Sequence, residues 1–144
     1  MINIICVGKI KENYLCDLIN DYQKRISKYH KINIIELKDS DIKEEGDLIL
    51  KNIKSGDFIV TMEIGGVNLD SVTLSNKIDK WLMERANITF IIGGSNGIDD
   101  RVKALSNYKL SFGNNTFPHG LFRGILLEQI YRSFKILNNE TYHK

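Results

Sequence analysis

The chain has 144 residues, of which 42% are hydrophobic and 26% charged, with one proline and a net charge of +2. That length and balance suit one domain with a real core and exclude a disordered chain. A protein holding nucleic acid by charge alone would be more basic, so any such site must be a local patch or be completed by a second subunit.

Ile2 to Val7 is an apolar run ended by Gly8, which reads as a buried strand. Tyr14, Leu15, Leu18, Ile19, Tyr22 and Ile26 recur at helical spacing and predict an amphipathic helix from about Glu12 to Lys28. Ile32 to Leu37 is a second strand, and Asp41 can cap a helix running to about Ile53. A third strand, Phe58 to Met62, follows Gly56 and is broken by Ile64-Gly65-Gly66. Ser71 or Thr73 then starts a helix through Leu74, Ile78, Trp81 and Leu82 to about Arg85. Ile88 to Ile92 is a fourth strand, and Asp99 and Asp100 can open a short helix to about Leu105. Tyr108 to Phe112 is a short fifth strand, and Pro118 leads into a long helix, His119 to Leu137. This alternation predicts one α/β domain over residues 1–144, a mostly parallel sheet flanked by helices.

Such sheets bind ligands in loops beyond the carboxyl ends of their strands. Strands three, four and five end in Glu63-Ile64-Gly65-Gly66, Gly93-Gly94-Ser95-Asn96-Gly97 and Gly113-Asn114-Asn115-Thr116-Phe117-Pro118-His119. One glycine pair is an ordinary tight turn. Three such loops in succession shift the balance toward a nucleotide-sized ligand, because glycine lets a backbone approach closely. The first turn, Val7-Gly8-Lys9-Ile10, lacks the G-x-G-x-x-G fingerprint, and no P-loop motif is present. The glycines come late in the chain, which disfavours a Rossmann oxidoreductase.

The last helix is apolar around most of its circumference, so it should be buried on more than one side, against the sheet and against a partner subunit. Gly124 in its middle is either tolerated or marks close approach of another backbone. His119 and Arg123 lie four apart on one face just after a glycine-bearing loop, where they could contact an RNA phosphate or order the loop. The tail, Asn138 to Lys144, reads by composition as a frayed end, although Tyr142 beside His143 and Lys144 can also stack on a base and hold a phosphate. Cys6 and Cys16 are too few for a disulfide scaffold and lack zinc spacing, so no metal site is expected. No segment reaches membrane-spanning length, and Met1 to Val7 has no basic leader, which predicts a cytoplasmic protein with no membrane partner.

Several of these segments together resemble the RlmH, or YbeA-like, family of the knotted SPOUT methyltransferases. The matching residues are Cys6-Val7-Gly8-Lys9, Ile91 to Gly97, Leu110-Ser111-Phe112, Thr116-Phe117-Pro118-His119, Arg123, Glu128 to Ile136 and the terminal Tyr142-His143-Lys144. The resemblance spans the chain and is densest after residue 91. It implies a trefoil knot and a cofactor site over about residues 88–144. It also implies S-adenosyl-L-methionine as cofactor, a homodimer packed partly through the last helix, and methylation of N3 of a pseudouridine in helix 69 of 23S ribosomal RNA within assembled ribosomes. Carried over residue by residue, the cofactor would be held by Met62, Ile64 and Gly65, by Gly93 and Gly94, and by Phe112, Gly113, Asn114, Asn115, Thr116 and Phe117. Met62 stands where the family commonly has leucine, Gly120 and Gly124 where bulkier residues are often found, and Thr141 where a proline or small residue is common. The segment between strands two and three is short for the family.

On that resemblance, Tyr142 and His143 would position the base, His143 would assist proton removal, and Arg123 or His119 would hold phosphate or order the loop. Lys9, Lys11 and the run Lys24-Arg25 to Lys31 are candidate RNA contacts, although any one such lysine more often belongs to a solvated face. Three other readings remain open: a SPOUT enzyme acting on transfer RNA or a different ribosomal base, a non-catalytic RNA- or nucleotide-binding module, and a flavodoxin-like enzyme.

Overall fold

The computed structural model describes residues 1–144. Five strands, β1 (Ile2–Val7), β2 (Ile32–Leu37), β3 (Phe58–Asn68), β4 (Ile88–Ile92) and β5 (Tyr108–Ser111), alternate with five helices. The helices are α1 (Asn13–Ser27), α2 (Ile42–Asn52), α3 (Ser71–Glu84), α4 (Asp100–Lys103) and α5 (His119–Leu137). The sheet runs β2-β1-β4-β3-β5, and every pairing in it is parallel.

Both faces of the sheet are covered, which is why β1 and β4 are buried at every position rather than alternating. Ile4 points to one side and Ile5 to the other. On the first side Ile4, Val60, Phe90 and Leu110 meet Ile19 of α1, Leu74 and Ile78 of α3, and Leu126 and Ile130 of α5. On the second side Ile5, Ile59 and Ile91 meet Ile49 of α2 and Val102 of α4. Both layers exclude water from side chains whose burial contributes roughly 1.5–3 kcal/mol each.

The helix starts follow local chemistry. Asp41 caps α2 by accepting the Glu44 N–H at 2.8 Å, and Asp99 caps α4 by accepting the Arg101 N–H at 2.8 Å. At α3 the cap is Asp70, which accepts the Thr73 N–H at 2.7 Å, so of the two expected starts the helix takes Ser71. Pro118 occupies the cap position of α5, where its missing N–H leaves nothing unpaired.

Two expectations are corrected. Ile64-Gly65-Gly66 does not end the third strand; β3 runs on to Asn68. Both Met62 and Val67 pair with Leu110, so the residues between them bulge out of a single strand. Gly66 permits this because a Cβ there would lie 2.8 Å from the Lys109 main chain. The second concerns Gly124. It accommodates no backbone; a Cβ there would lie 2.6 Å from Cδ2 of Leu18, as one on Gly120 would lie 2.8 Å from Cδ1 of Leu15. Helix α5 rests on the sheet with α1 and α3 on its flanks, so most of its apolar circumference is covered within the chain.

Candidate functional site

The carboxyl ends of β3, β4 and β5 lie side by side, and their loops enclose a cavity of about 330 Å³. The bulge supplies Met62, Ile64 and Gly65; the next loop supplies Gly93 and Gly94; the third supplies Phe112, Gly113, Asn115, Thr116 and Phe117. Asn114 alone of the expected cofactor residues does not line it. His119, on the first turn of α5, does.

The cavity is shaped by close backbone contacts. A Cβ on Gly93 would lie 2.6 Å from the Gly97 carbonyl oxygen, and one on Gly94 would lie 2.9 Å from Oε1 of Glu45. Gly65 has open space on its Cβ side. Gly113 adopts φ of 117°, a left-handed backbone that a side chain would strain. Ser111 pins the third loop to the first: its hydroxyl donates to the Ile64 carbonyl at 2.9 Å and accepts the Gly113 N–H at 3.1 Å. Phe112 and Phe117 both pack on Phe122 of α5, with ring centroids 5.7 and 6.2 Å apart. These contacts make the loop a fixed wall.

The walls are apolar at Ile92, Ile98 and Leu110, with charge at one edge. Nζ of Lys103 stands 3.7 Å from Oε1 of Glu63, whose other oxygen accepts the Thr61 hydroxyl at 2.6 Å. Lys103, Ile98 and Phe122 were not foreseen at the site, and Glu63 and Ser111, though they stand in the loop after strand three and in the Leu110-Ser111-Phe112 match, were not among the expected cofactor residues. The available signals were the positions of Glu63 between the expected Met62 and Ile64 and of Ser111 before the expected Phe112.

The remaining expected residues are distributed differently. Arg123 is 3% exposed, with Nη1 on Glu36 at 2.7 Å and Nη2 on the Gly8 carbonyl at 3.0 Å. It is closed to an RNA phosphate in this arrangement and instead ties α5 to β2 and to the turn after β1. The tail is not frayed. The Tyr142 ring meets Tyr131 edge-on at 4.9 Å, its hydroxyl donates to Glu128 at 3.1 Å, and the Arg132 guanidinium lies over it at 4.7 Å. Burial, then the neighbouring Tyr22 hydroxyl and the Glu128 charge, push the Tyr142 phenol up, so it stays neutral. His143 lies 3.0 Å through Nδ1 from Arg132 and borders a second hollow with Asp70, Ser71 and Gln129. Phe112 borders both hollows and is the partition between them. No group of three or more His, Cys, Asp and Glu side chains is arranged to hold a metal, and no helix is long and apolar enough to cross a membrane.

A parallel α/β domain with its ligand cavity at three neighbouring strand ends in the second half of the chain has counterparts among known proteins. The family model described as "Predicted SPOUT methyltransferase" matches residues 1–143. The chain is similar to ribosomal RNA large subunit methyltransferase H of Clostridium tetani, with 49% identity covering 99% of each chain. The same-named protein of Clostridium botulinum strain Kyoto is 46% identical, again over 99% of each. Those alignments run over 157 positions against a chain of 144, so the relatives carry residues this chain lacks. Among solved structures, a probable methylase family protein from Haemophilus influenzae Rd KW20 superposes with a TM-score of 0.59 at 8% identity, covering 99% of this chain and 70% of that one, which is a likeness of fold alone. The chain belongs to the SPOUT methyltransferases and, within them, to the RlmH family.

Proposed function

We propose that the chain transfers a methyl group from S-adenosyl-L-methionine to large-subunit ribosomal RNA. The target is N3 of a pseudouridine in helix 69 of 23S RNA, within assembled ribosomes, and the enzyme is a cytoplasmic homodimer. The observation that carries this is the convergence of three glycine-bearing loops on one cavity, in a chain of this family.

The residues fit such a cofactor. A cavity of about 330 Å³ falls within the range of small-ligand sites. Its apolar walls suit a purine ring, and the exposed main chain of Gly93, Gly94 and Thr116 suits the ring's polar edge. Glu63 would face the ammonium or ribose hydroxyls, and Lys103 the carboxylate. When bound, S-adenosylmethionine supplies an electrophilic methyl group on a sulfonium. The chain's own task is to bring the acceptor nitrogen into line and to take up its proton. Orientation of this kind can be worth about 10⁵ M in effective concentration.

Tyr142 and His143 would position the base, with His143 assisting proton removal, since a histidine titrates near neutrality. A neutral phenol at Tyr142 suits a positioning role better than a basic one. In a single chain Tyr142 lies outside the cavity, which supports a site completed by the tail of a second subunit. His119 would contact the substrate or order the cavity edge, and Arg123 would act by holding the Gly8 turn and α5 together. The trefoil knot belongs to the same reading.

Mass spectrometry of 23S RNA from cells with and without this protein tests the proposal. N3-methylpseudouridine in helix 69 should disappear in its absence. An unchanged helix 69, with a methyl group lost from transfer RNA or another ribosomal base, would overturn the target.

A further inference from the structure

We propose that Glu45 is a positioning residue for the Gly93–Gly97 loop and, through it, for the methyl donor; this rests on the function proposed above. Glu45 is on α2, on the face of the sheet away from α5, and is 2% exposed. One carboxylate oxygen, Oε2, accepts the Ser40 N–H at 2.9 Å. The other, Oε1, has no partner. The unpartnered oxygen is aimed at Gly94: a Cβ there would lie 2.9 Å from it and 3.2 Å from Oε2. Gly94 itself lines the cavity. The carboxyl group therefore supports from behind the same glycine that a ligand would touch from the front.

The adjoining residues of α2 grip the same loop further along. A Cβ on Gly46 would run into the Asp99 carboxylate. Asp47 accepts from Arg101 at 2.8 Å, and the Lys43 carbonyl accepts from Arg101 at 3.1 Å. The chain from Gly94 to Arg101 is thus held by α2 at successive points, and Glu45 is the point beneath the ligand.

The Ser40 N–H accounts for one carboxylate oxygen, but Oε1 is a buried acceptor left unmet beside Gly94, so it has a use that core packing does not explain. A loop closing on a bound methyl donor can turn a main-chain N–H onto Oε1. Glu45 would then be satisfied only when the cofactor is in place, and that hydrogen bond would favour the bound form.

Calorimetric titration of the full-length protein with S-adenosylhomocysteine, alongside thermal unfolding without ligand, tests this with E45L and E45Q. E45L leaves the Ser40 N–H unpaired and should lower the melting temperature slightly, yet bind about tenfold more weakly, the equivalent of one further hydrogen bond. E45Q keeps one acceptor oxygen where two N–H groups need one each, so it should bind nearly as weakly as E45L while holding the Ser40 N–H. Ribosome methylation by E45L should show a raised KM for S-adenosylmethionine with a near-normal kcat. An E45L that binds as the wild type does overturns the inference alone. So does an E45Q that binds as the wild type does, or an affinity loss that merely follows lost stability. Wild-type protein that takes up no S-adenosylhomocysteine overturns the function proposed above as well.

Discussion

Arg123 and Glu36 are joined at 2.7 Å between the last helix and the edge strand β2, with the arginine buried and the glutamate half exposed. The second amino group of Arg123 holds the Gly8 carbonyl, so one side chain fastens three segments. Arg123→Met should therefore lower stability by about 2 kcal/mol, leaving an acceptor without its charged donor. Glu36→Gln should cost under about 1 kcal/mol, since water reaches that side of the pair. Urea midpoints check both. If Arg123 instead served RNA directly, Arg123→Met would leave the midpoint unchanged and weaken ribosome binding.

Glycine substitutions should separate fold from ligand. In Gly93→Ala the new methyl group meets the Gly97 carbonyl, so the loop must shift, and loss of S-adenosylmethionine binding is expected together with a lower melting temperature. In Gly65→Ala the methyl group enters open space beside the cavity, so the melting temperature should hold while cofactor affinity changes. Thermal scans with and without cofactor distinguish the two.

Removing Tyr142 to Lys144 takes away the edge-on contact with Tyr131 and the hydrogen bond to Glu128. The expected loss of stability is about 1–2 kcal/mol. Methylation of ribosomes should fall far more, by roughly 100-fold or beyond, if the tail holds the base and its proton acceptor. Normal turnover in the truncated protein would show that the tail is only a strap on α5.

Glu45 gives stability an unusual pH dependence. Burial raises its carboxyl above the usual range; the Ser40 N–H works against this, and Asp39 and Asp41 add to it. The folded state thus holds this proton more tightly than the unfolded chain, whose glutamates titrate near about 4.3. Its contribution is fully present below that value and is lost as pH rises through the folded pKa. Asp99, held down by its hydrogen bonds from Arg101, works the other way and loses its contribution as pH falls. Unfolding free energies of wild type and E45Q from pH 4 to 8 should diverge upward through the Glu45 window, with the wild type losing ground. Parallel curves would contradict the assignment.

Cys6 is buried, and its thiol is pushed up to about 11, chiefly by desolvation. At pH 8 a thiol reagent should modify Cys16 and leave Cys6 until the protein unfolds. A Cys16→Ser protein should accordingly show no fast-reacting thiol.

Strands β1 and β4 were legible to the residue, because each is an apolar run buried on both sheet faces, and β2 because its isoleucines stand between polar turns. The cavity loops were legible for the related reason that such sheets open at their strand ends. What misled was chemistry that depends on a distant neighbour. Gly65-Gly66 looked like the end of a strand, yet β5 arrives to pair beyond it. Seven terminal residues rich in polar groups looked frayed, yet one ring finds Tyr131. Arg123 looked like a contact for an RNA phosphate or the cavity loop, yet packing closed over it. Spacing along one helix cannot reveal a partner nearly a hundred residues away.

The position of β4 in the sheet has a consequence for how the chain is made. The first strand pairs on one side with β2, but its other neighbour is β4, and the Met1 amine donates to the Ala86 carbonyl at 2.8 Å. A nascent polypeptide that has emerged only through α2 holds β1 and β2 with an apolar edge open to solvent, and nothing yet synthesised can cover it. The centre of the sheet closes only once residue 92 is free of the tunnel, and β5 and α5 must then find their places around it. Folding should therefore be slow for a protein of this size and completed largely after synthesis, with the early half dependent on protection from aggregation.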